Sequence, residues 1–189
     1  MPRRELLLPA ALAAVGIGLG LLAEKALVGD KVRYDPDAEE EFGVLHGAAV
    51  PVAADDGVGL HVEVDDFRSD DISDNLTVIF CHGYSLNQDS WHYQRKALRP
   101  EARLVFADQR AHGKSLRGDR SRSTIDQLGL DLGRIVDEAG GPGPIILVGH
   151  SMGGMTVMAL AAHRPELFDD GPIKGVALLA TSAGGLAQT

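Results

Sequence analysis

The residues with the clearest chemical potential are a serine and the two glycines around it, in the segment Gly149 to Gly153, G-H-S-M-G. Ser151 can act as a nucleophile if it stands on a sharp strand-to-helix turn. The residues two before and two after it must then be small, because the strand and helix backbones pass close by. Gly149 and Gly153 meet that need. Met152 would begin the helix, where its unpaired N–H and the helix dipole favour a developing oxyanion.

The sequence on either side supplies the two elements that such a turn joins. Ile145 to Val148 is a short apolar run with strand character, and Met152 to Leu160 has helical character. The context therefore favours a nucleophilic serine. A glycine-rich turn without a catalytic role is the alternative that the spacing leaves open.

Two more polar turns follow apolar runs earlier in the chain. Leu76 to Cys81 ends in His82-Gly83-Tyr84, and Leu104 to Ala107 ends in the segment Asp108 to Ser115. Both runs are continuous and apolar, which is typical of strands buried in a parallel sheet. The three polar turns are therefore predicted at the carboxyl ends of successive strands.

The segment before these strands predicts a hairpin and a polar loop. Phe42 to Ala53 and Leu60 to Val64 are short strand-like runs with an Asp-Gly turn between them, which predicts two antiparallel strands. Residues 65–75 contain five aspartates, but their spacing lacks the glycine and the final glutamate of a calcium-binding loop. We expect a solvated loop there.

Helix signals separate the remaining strands. Ser90 predicts the N-cap of a short helix through Leu98, and Thr124 predicts the start of a longer one. A last strand is predicted from Val176 to Ala180. Strands that alternate with helices indicate an α/β fold, in which a doubly wound, mostly parallel sheet has both faces covered.

Together the three turns resemble those of the α/β-hydrolase fold family, in its lipase, esterase and haloperoxidase-like branch. The resemblance covers about Leu76 to Ala183. It implies that Ser151 is the nucleophile, that the backbone N–H groups of Met152 and Tyr84 form the oxyanion hole, and that no metal or organic cofactor is needed. The substrate would be a small ester or other acyl compound.

Other residues of the three turns have structural roles in this family. The resemblance implies that His82 and His112 satisfy backbone hydrogen bonds, and that Asp108 to Ser115 is a structural turn. The family usually has glycine where this chain has Ala111. Cys81, at the end of a buried strand, is expected to be a small core residue.

The base and acid that a nucleophilic serine requires are not evident in the sequence. A serine hydroxyl is a weak nucleophile until a histidine accepts its proton and a carboxylate orients that histidine. In this fold both follow the serine in chain order. The only later histidine, His163, lies about 18 Å along the same predicted helix, and Asp169 and Asp170 are predicted at the opposite edge of the sheet. We expect an incomplete sheet, with the acid and histidine beyond Thr189 and only residual turnover in this chain.

Composition excludes some partners and leaves the compartment open. The formal net charge of −9 and the absence of a run of Lys or Arg argue against nucleic acid. With Cys81 as the only cysteine, no intramolecular disulfide is possible. The oligomeric state is not indicated.

The first residues predict a membrane-targeting segment. Leu6 to Ala23 contains no charged residue and would form a helix about 27 Å long, close to the hydrocarbon thickness of a bilayer. We expect a membrane anchor or signal segment at 1–23, a polar linker at 24–41 and a partial α/β-hydrolase domain at 42–189. The protein would then lie at the cell membrane or be exported. A buried core helix is the alternative.

Three functional alternatives remain open from the sequence. A non-catalytic interaction protein could keep the fold without the catalytic residues. A nucleotide-binding domain could use Gly149 to Gly154, although this spacing matches neither dinucleotide-binding nor P-loop patterns. A perhydrolase, thioesterase or acyltransferase would share every candidate residue with an esterase.

Overall fold

The computed structural model describes residues 41–66 and 76–184 of the chain. The predicted membrane segment, Leu6 to Ala23, and the linker up to residue 40 lie outside the described residues. Within those two described ranges, no helix is long and apolar enough to cross a membrane. The membrane segment therefore stays a prediction.

Six strands form one mixed sheet, in the spatial order β1-β2-β4-β3-β5-β6. The hairpin β1–β2 is antiparallel, as predicted, and β2 also pairs antiparallel with β4. The pairs β4–β3, β3–β5 and β5–β6 are parallel. The strands are β1 (Ala48–Ala53), β2 (Gly59–Asp65), β3 (Thr77–Cys81), β4 (Arg103–Ala107), β5 (Ile145–His150) and β6 (Ile173–Leu179).

Helices connect the parallel strands. They are α1 (His92–Leu98), α2 (Ile125–Ala139), α3 (Met152–His163) and the single turn α4 (Glu166–Asp169), with 3₁₀ turns at Gln88–Trp91 and Arg120–Arg122. After β3 the chain moves to one side for β4 and then returns to the other side for β5. Such a change of direction opens a crevice at the carboxyl ends of the strands. The turns after β3 and β5 flank this crevice.

Two apolar cores, one on each face of the sheet, confirm the predicted doubly wound architecture. One core joins side chains of the central strands with Leu132 of α2 and Leu160 of α3. The other contains Phe80, Phe106 and Trp91, and the Phe80 ring stacks on Phe106 with centroids 4.8 Å apart. Helices therefore cover both faces and fix where the strands end.

The helix starts differ in how well the sequence predicts them. Thr124 caps α2 as expected, because its Oγ1 accepts a hydrogen bond from the Gln127 N–H at 3.2 Å. The N-cap predicted at Ser90 is wrong. Asn87 caps the preceding 3₁₀ turn instead, since its Oδ1 accepts from the Asp89 N–H at 3.0 Å. The Ser90 hydroxyl donates to the Asn87 carbonyl at 2.7 Å.

A buried ion-pair cluster joins β2 to α1. The Arg95 side chain, 2% exposed, donates to Glu63 at 2.9 Å and to both oxygens of Asp65 at 2.8 and 3.0 Å. Arg99 also donates to both Asp65 oxygens, each at 3.0 Å. Gln88 donates to Glu63 at 2.8 Å. The solvated loop predicted for residues 65–75 is thus wrong at Asp65, which these contacts bury, while residues 67–75 lie outside the described ranges.

The last strand starts earlier than predicted. It runs from Ile173 to Leu179 rather than from Val176 to Ala180, because Ile173 already pairs with Ile145. In the part of the chain that the structure describes, β5 is the only strand that pairs with β6. Val176, Leu178 and Leu179 are each close to half exposed on this edge strand.

Cys81 is fully buried at the end of β3, which confirms its place in the core. Burial raises the pKa of its thiol to about 12, so the reactive thiolate is scarce at neutral pH. We expect iodoacetamide to alkylate Cys81 at least about 100-fold more slowly in the folded chain than in urea. Mass spectrometry of timed samples measures both rates, with glutathione as the free-thiol control. Equal rates would contradict the buried position.

Candidate active site

Ser151 occupies a strained turn between β5 and α3. Its backbone angles are φ 52° and ψ −116°, a region that residues other than glycine rarely adopt. The residue is the N-cap of α3, but its side chain makes no capping hydrogen bond. An N-cap serine usually does. The half-buried Ser151 hydroxyl is therefore available for another partner.

Gly149 and Gly153 permit the close approach that this turn requires. A Cβ at Gly149 would lie 2.6 Å from the carbonyl oxygen of Gly153. A Cβ at Gly153 would lie 2.6 Å from the carbonyl carbon of Cys81 and 2.8 Å from the carbonyl oxygen of His82. These neighbours are backbone atoms of α3 for Gly149 and of β3 and its turn for Gly153, and backbone atoms cannot rotate away. Both positions consequently exclude any side chain.

The end of β6 holds the Ser151 backbone from the other side. The Ser151 N–H donates to the Leu179 carbonyl at 2.9 Å, and the Thr181 hydroxyl donates to the Ser151 carbonyl at 2.6 Å. Two strands and a helix start thus fix the serine. No motif indicates Thr181, because its partner lies 30 residues away.

The turn after β3 lies directly against the serine. A Cβ at Gly83 would be 3.3 Å from the Ser151 Cβ, so this glycine lets the two turns meet. Within residues 41–66 and 76–184, neither the Tyr84 N–H nor the Met152 N–H makes a hydrogen bond. Two backbone donors, one in the turn that faces Ser151 and one in the residue after it, are therefore free of partners among the described residues, and such donors can stabilise an oxyanion.

A buried polar network fixes the His82 turn. The His82 ring donates from Nδ1 to the Gly83 carbonyl at 2.8 Å and accepts at Nε2 from the Gln109 N–H at 3.0 Å. The Gln109 side chain donates to the His82 carbonyl and accepts from the Thr156 hydroxyl at 2.7 Å. Burial lowers the pKa of His82 and favours the neutral ring. His82 thus satisfies backbone groups, as expected, while the sequence did not indicate Gln109 or Thr156.

The turn after β4 wraps around the Asp108 carboxylate. The two oxygens of Asp108 accept from the Gln88 N–H and the Lys114 N–H, each at 2.8 Å. Ala111 has a φ of +64°, a left-handed conformation that glycine adopts without strain. His112 bonds the Arg110 carbonyl at 2.9 Å. The segment is a structural turn around Asp108, with Ala111 in the left-handed conformation.

Among the described residues, no histidine is hydrogen-bonded to the Ser151 hydroxyl. The neighbouring His150 ring turns instead toward Trp91, with centroids 6.5 Å apart and an edge-on geometry. His163 lies at the far end of α3 and contacts Asp126 at 3.2 Å. The described ranges also contain no group of three side chains that could hold a metal ion.

A cavity of about 800 Å³ opens beside the serine. Tyr84 and Met152 contribute to its lining, although Ser151 itself is not among the lining residues. Leu86, Ile125 and Leu128 add apolar surface. A small organic substrate would fit this volume.

Comparison with known proteins agrees with this geometry. The family model for the alpha/beta hydrolase fold matches residues 77–188, more than half of the chain. The chain is 32% identical over 110 residues to the sn-1-specific diacylglycerol lipase ABHD11 of Mus musculus, covering 57% of this chain and 34% of that protein. It is 36% identical over 89 residues to Lipase LipV of Mycobacterium tuberculosis, covering 47% and 33%.

Solved structures show the same architecture. A thermophilic esterase from Thermogutta terrifontis superposes with a TM-score of 0.58 at 26% identity, over 72% of this chain and 47% of that one. The chain spans about a third of the length of the curated relatives it matches. The sheet order, the turn at Ser151 and the family match lead to one conclusion: this chain belongs to the α/β-hydrolase fold family.

Proposed function

We propose that the chain is a serine hydrolase that acts on esters or related acyl compounds through an acyl-enzyme on Ser151. One observation carries the proposal: Ser151 lies on a strained turn, its side chain makes no capping hydrogen bond, and the N–H groups of Tyr84 and Met152 have no partner among the described residues. The esterases and lipases among its relatives support the same reaction class.

The reaction would proceed in two steps. The Ser151 Oγ attacks the carbonyl carbon while its proton passes to a base, and the oxygen that becomes negative accepts hydrogen bonds from Tyr84 and Met152. The carbon–oxygen bond to the alcohol then breaks, and the alcohol leaves with a proton. Water hydrolyses the remaining acyl-serine and restores the hydroxyl. No metal or organic cofactor takes part in either step.

The base is the part that the described residues do not supply. We propose that it lies outside them, together with the carboxylate that orients it. Without the base, binding and oxyanion stabilisation still leave a residual acceleration of about 10³- to 10⁴-fold over the reaction in water. We therefore expect slow but site-specific reaction in the 189-residue chain.

A fluorophosphonate probe tests this proposal on the full chain. Tryptic mass spectrometry is expected to find the label on Ser151, at a rate at least about tenfold above that of other exposed serines. Ser151→Ala should abolish it. Ser123→Ala is the matched control, because Ser123 is exposed and lines the same cavity but lies on a loop.

Added imidazole tests the missing base. If no base is in place, imidazole can accept the Ser151 proton and should accelerate labelling at this residue alone. Rapid labelling that imidazole does not change would mean that a base within the chain reaches Ser151. Equal labelling of many serines, or none at Ser151, would instead favour a non-catalytic interaction protein.

A further inference from the structure

The charged residues that line the cavity beside Ser151 are all positive. Its charged lining residues, among those that the structure describes, are Arg110, Arg117 and Arg120, and no Asp or Glu lines it. The remaining lining is apolar or neutral apart from His112. A cavity with this lining favours a substrate that is partly apolar and carries a negative charge.

Arg110 cannot bind such a negative charge, because its guanidinium N–H groups already donate to two carboxylates. Its Nε and one Nη donate to Asp131 at 2.8 Å each, and both Nη atoms donate to Asp56 at 2.7 and 3.0 Å. Four of its five N–H donors are therefore used. These bonds raise the pKa of Arg110 and lower that of Asp56 to about 2, so the group stays ionised and self-contained.

Arg117 and Arg120 differ from the arginines around them. Within residues 41–66 and 76–184, neither side chain makes a hydrogen bond or an ion pair. Arg122, in the same 3₁₀ turn as Arg120, donates to Asp55 at 3.1 and 3.2 Å and to Gln127 at 3.1 Å. The carboxylate of Asp119 lies between the two arginines in sequence but pairs with neither; one of its oxygens accepts from the N–H and hydroxyl of Ser121 at 2.8 and 2.9 Å.

The guanidinium groups of Arg117 and Arg120 can attract an anion only at short range. The whole chain carries a formal net charge of −9, so its long-range field repels anions. At physiological salt this field is screened beyond about 8 Å, whereas a ligand in the cavity would contact the arginines directly. A guanidinium also matches the paired oxygens of a carboxylate or phosphate.

We propose that Arg117 and Arg120 form a subsite for a negatively charged group on the substrate. The preferred substrate is then an ester that carries a carboxylate, or a similar anion, several bonds away from the carbonyl that Ser151 attacks. This inference rests on the proposed function, because it takes Ser151 as the reacting group. It adds the substrate class, which neither the fold nor the relatives define.

Binding to the full chain with Ser151→Ala tests the subsite without turnover. Ligand-observed NMR compares monomethyl glutarate, an anionic ester, with methyl valerate, its neutral analogue of the same chain length. We expect the anion to bind about fivefold or more tightly, as two exposed ion pairs allow. Raising the salt from about 0.1 M to about 1 M shortens the screening length from about 10 Å to about 3 Å and should remove this preference.

Two double variants locate the effect. Arg117→Gln with Arg120→Gln should bind both esters equally, and it should still fold because both side chains are exposed and unpaired. Arg134→Gln with Arg164→Gln removes the same charge from paired arginines that do not line the cavity, and it should keep the preference. The subsite would be overturned if the chain with both arginines bound the two esters equally or did not bind the anionic ester. It would also be overturned if the preference for the anionic ester survived Arg117→Gln with Arg120→Gln.

The same materials separate this proposal from the proposed function. If the fluorophosphonate fails to label Ser151 but the anion preference depends on Arg117 and Arg120, the hydrolase proposal is wrong and the cavity is an anion site. If Ser151 is labelled and the anionic ester binds no better than the neutral one, the hydrolase proposal stands and the subsite is wrong.

Discussion

Gly153→Ala is expected to destabilise the chain by at least about 3 kcal/mol and to slow Ser151 labelling about 100-fold. The added Cβ would lie 2.6 Å from the carbonyl carbon of Cys81 and 2.8 Å from the carbonyl oxygen of His82. Neither atom can move without displacing β3 or its turn. The strand and α3 must separate, and Ser151 then moves relative to the Tyr84 N–H.

A second glycine offers a matched control. A Cβ at Gly175, in β6, would have its nearest neighbour 3.5 Å away in the Ile146 side chain, which is an ordinary van der Waals contact. Gly175→Ala should therefore change stability by less than about 1 kcal/mol and leave labelling intact. Urea denaturation and fluorophosphonate labelling measure the two effects. If Gly153→Ala and Gly175→Ala had the same effects on stability and labelling, the close backbone approach at Gly153 would not be what determines the conformation of the Ser151 turn.

The parts of the fold that the sequence predicts are those with local causes. Apolar runs and turn residues predict all six strands, although the first begins at Ala48 and not at Phe42, and the Asp-Gly turn predicts the hairpin. The need for small residues at Gly149 and Gly153 follows from the strand-turn-helix pattern, although the backbone that crowds Gly153 belongs to Cys81 and His82, far away in the chain. A local pattern can therefore indicate where a nucleophile would stand, even though its catalytic role stays a proposal.

The features that the sequence does not indicate depend on partners far apart in the chain. Arg110 meets Asp56, 54 residues away, and the Gln109 side chain meets Thr156, 47 residues away. Neither pair follows a motif. Asp65 was expected in solvent because it stands among other aspartates, yet α1 brings Arg95 to it from 30 residues along the chain. The order of the strands in the sheet determines these long-range contacts, and local sequence patterns do not specify that order.

Arg95→Met is expected to destabilise the chain by about 3–5 kcal/mol near neutral pH. Arg95 is 2% exposed and is the residue that contacts both Glu63 and Asp65. Its guanidinium also lies 4.6 Å from the centroid of the Phe106 ring. Methionine keeps much of the volume but removes the charge, so two buried carboxylates lose their shared cation. Urea denaturation measures the loss.

An exposed arginine provides the control for charge alone. Arg134 pairs with Glu138 one helical turn away on α2, and both side chains are partly exposed. Arg134→Met removes the same charge from the surface and should cost no more than about 0.5 kcal/mol. A similar loss from both variants would mean that net charge, and not the buried cluster, explains the effect.

The pH dependence distinguishes a lost charge partner from lost packing. Burial alone would raise the pKa of Glu63, but hydrogen bonds from the Gly47 N–H, Gln88 and Arg95 lower it from 4.5 to about 2. Arg95 and Arg99 also outweigh burial and lower the pKa of Asp65. Because the folded pKa values lie below the unfolded ones, these carboxylates stabilise the unmodified chain above about pH 4.5. This contribution is lost as the pH falls toward about 2.

In Arg95→Met this dependence of stability on pH should weaken. Without the guanidinium, Glu63 loses one of the hydrogen bonds that lower its pKa while burial still raises it, so its folded pKa moves up toward the unfolded value and protonation costs less than in the unmodified chain. The stability difference between the two chains should therefore be largest near pH 7 and should shrink by about half or more near pH 3. Denaturation midpoints at both pH values measure it. A difference that stays constant with pH would show that Arg95 stabilises the chain through its contact with Phe106 and not through the two carboxylates.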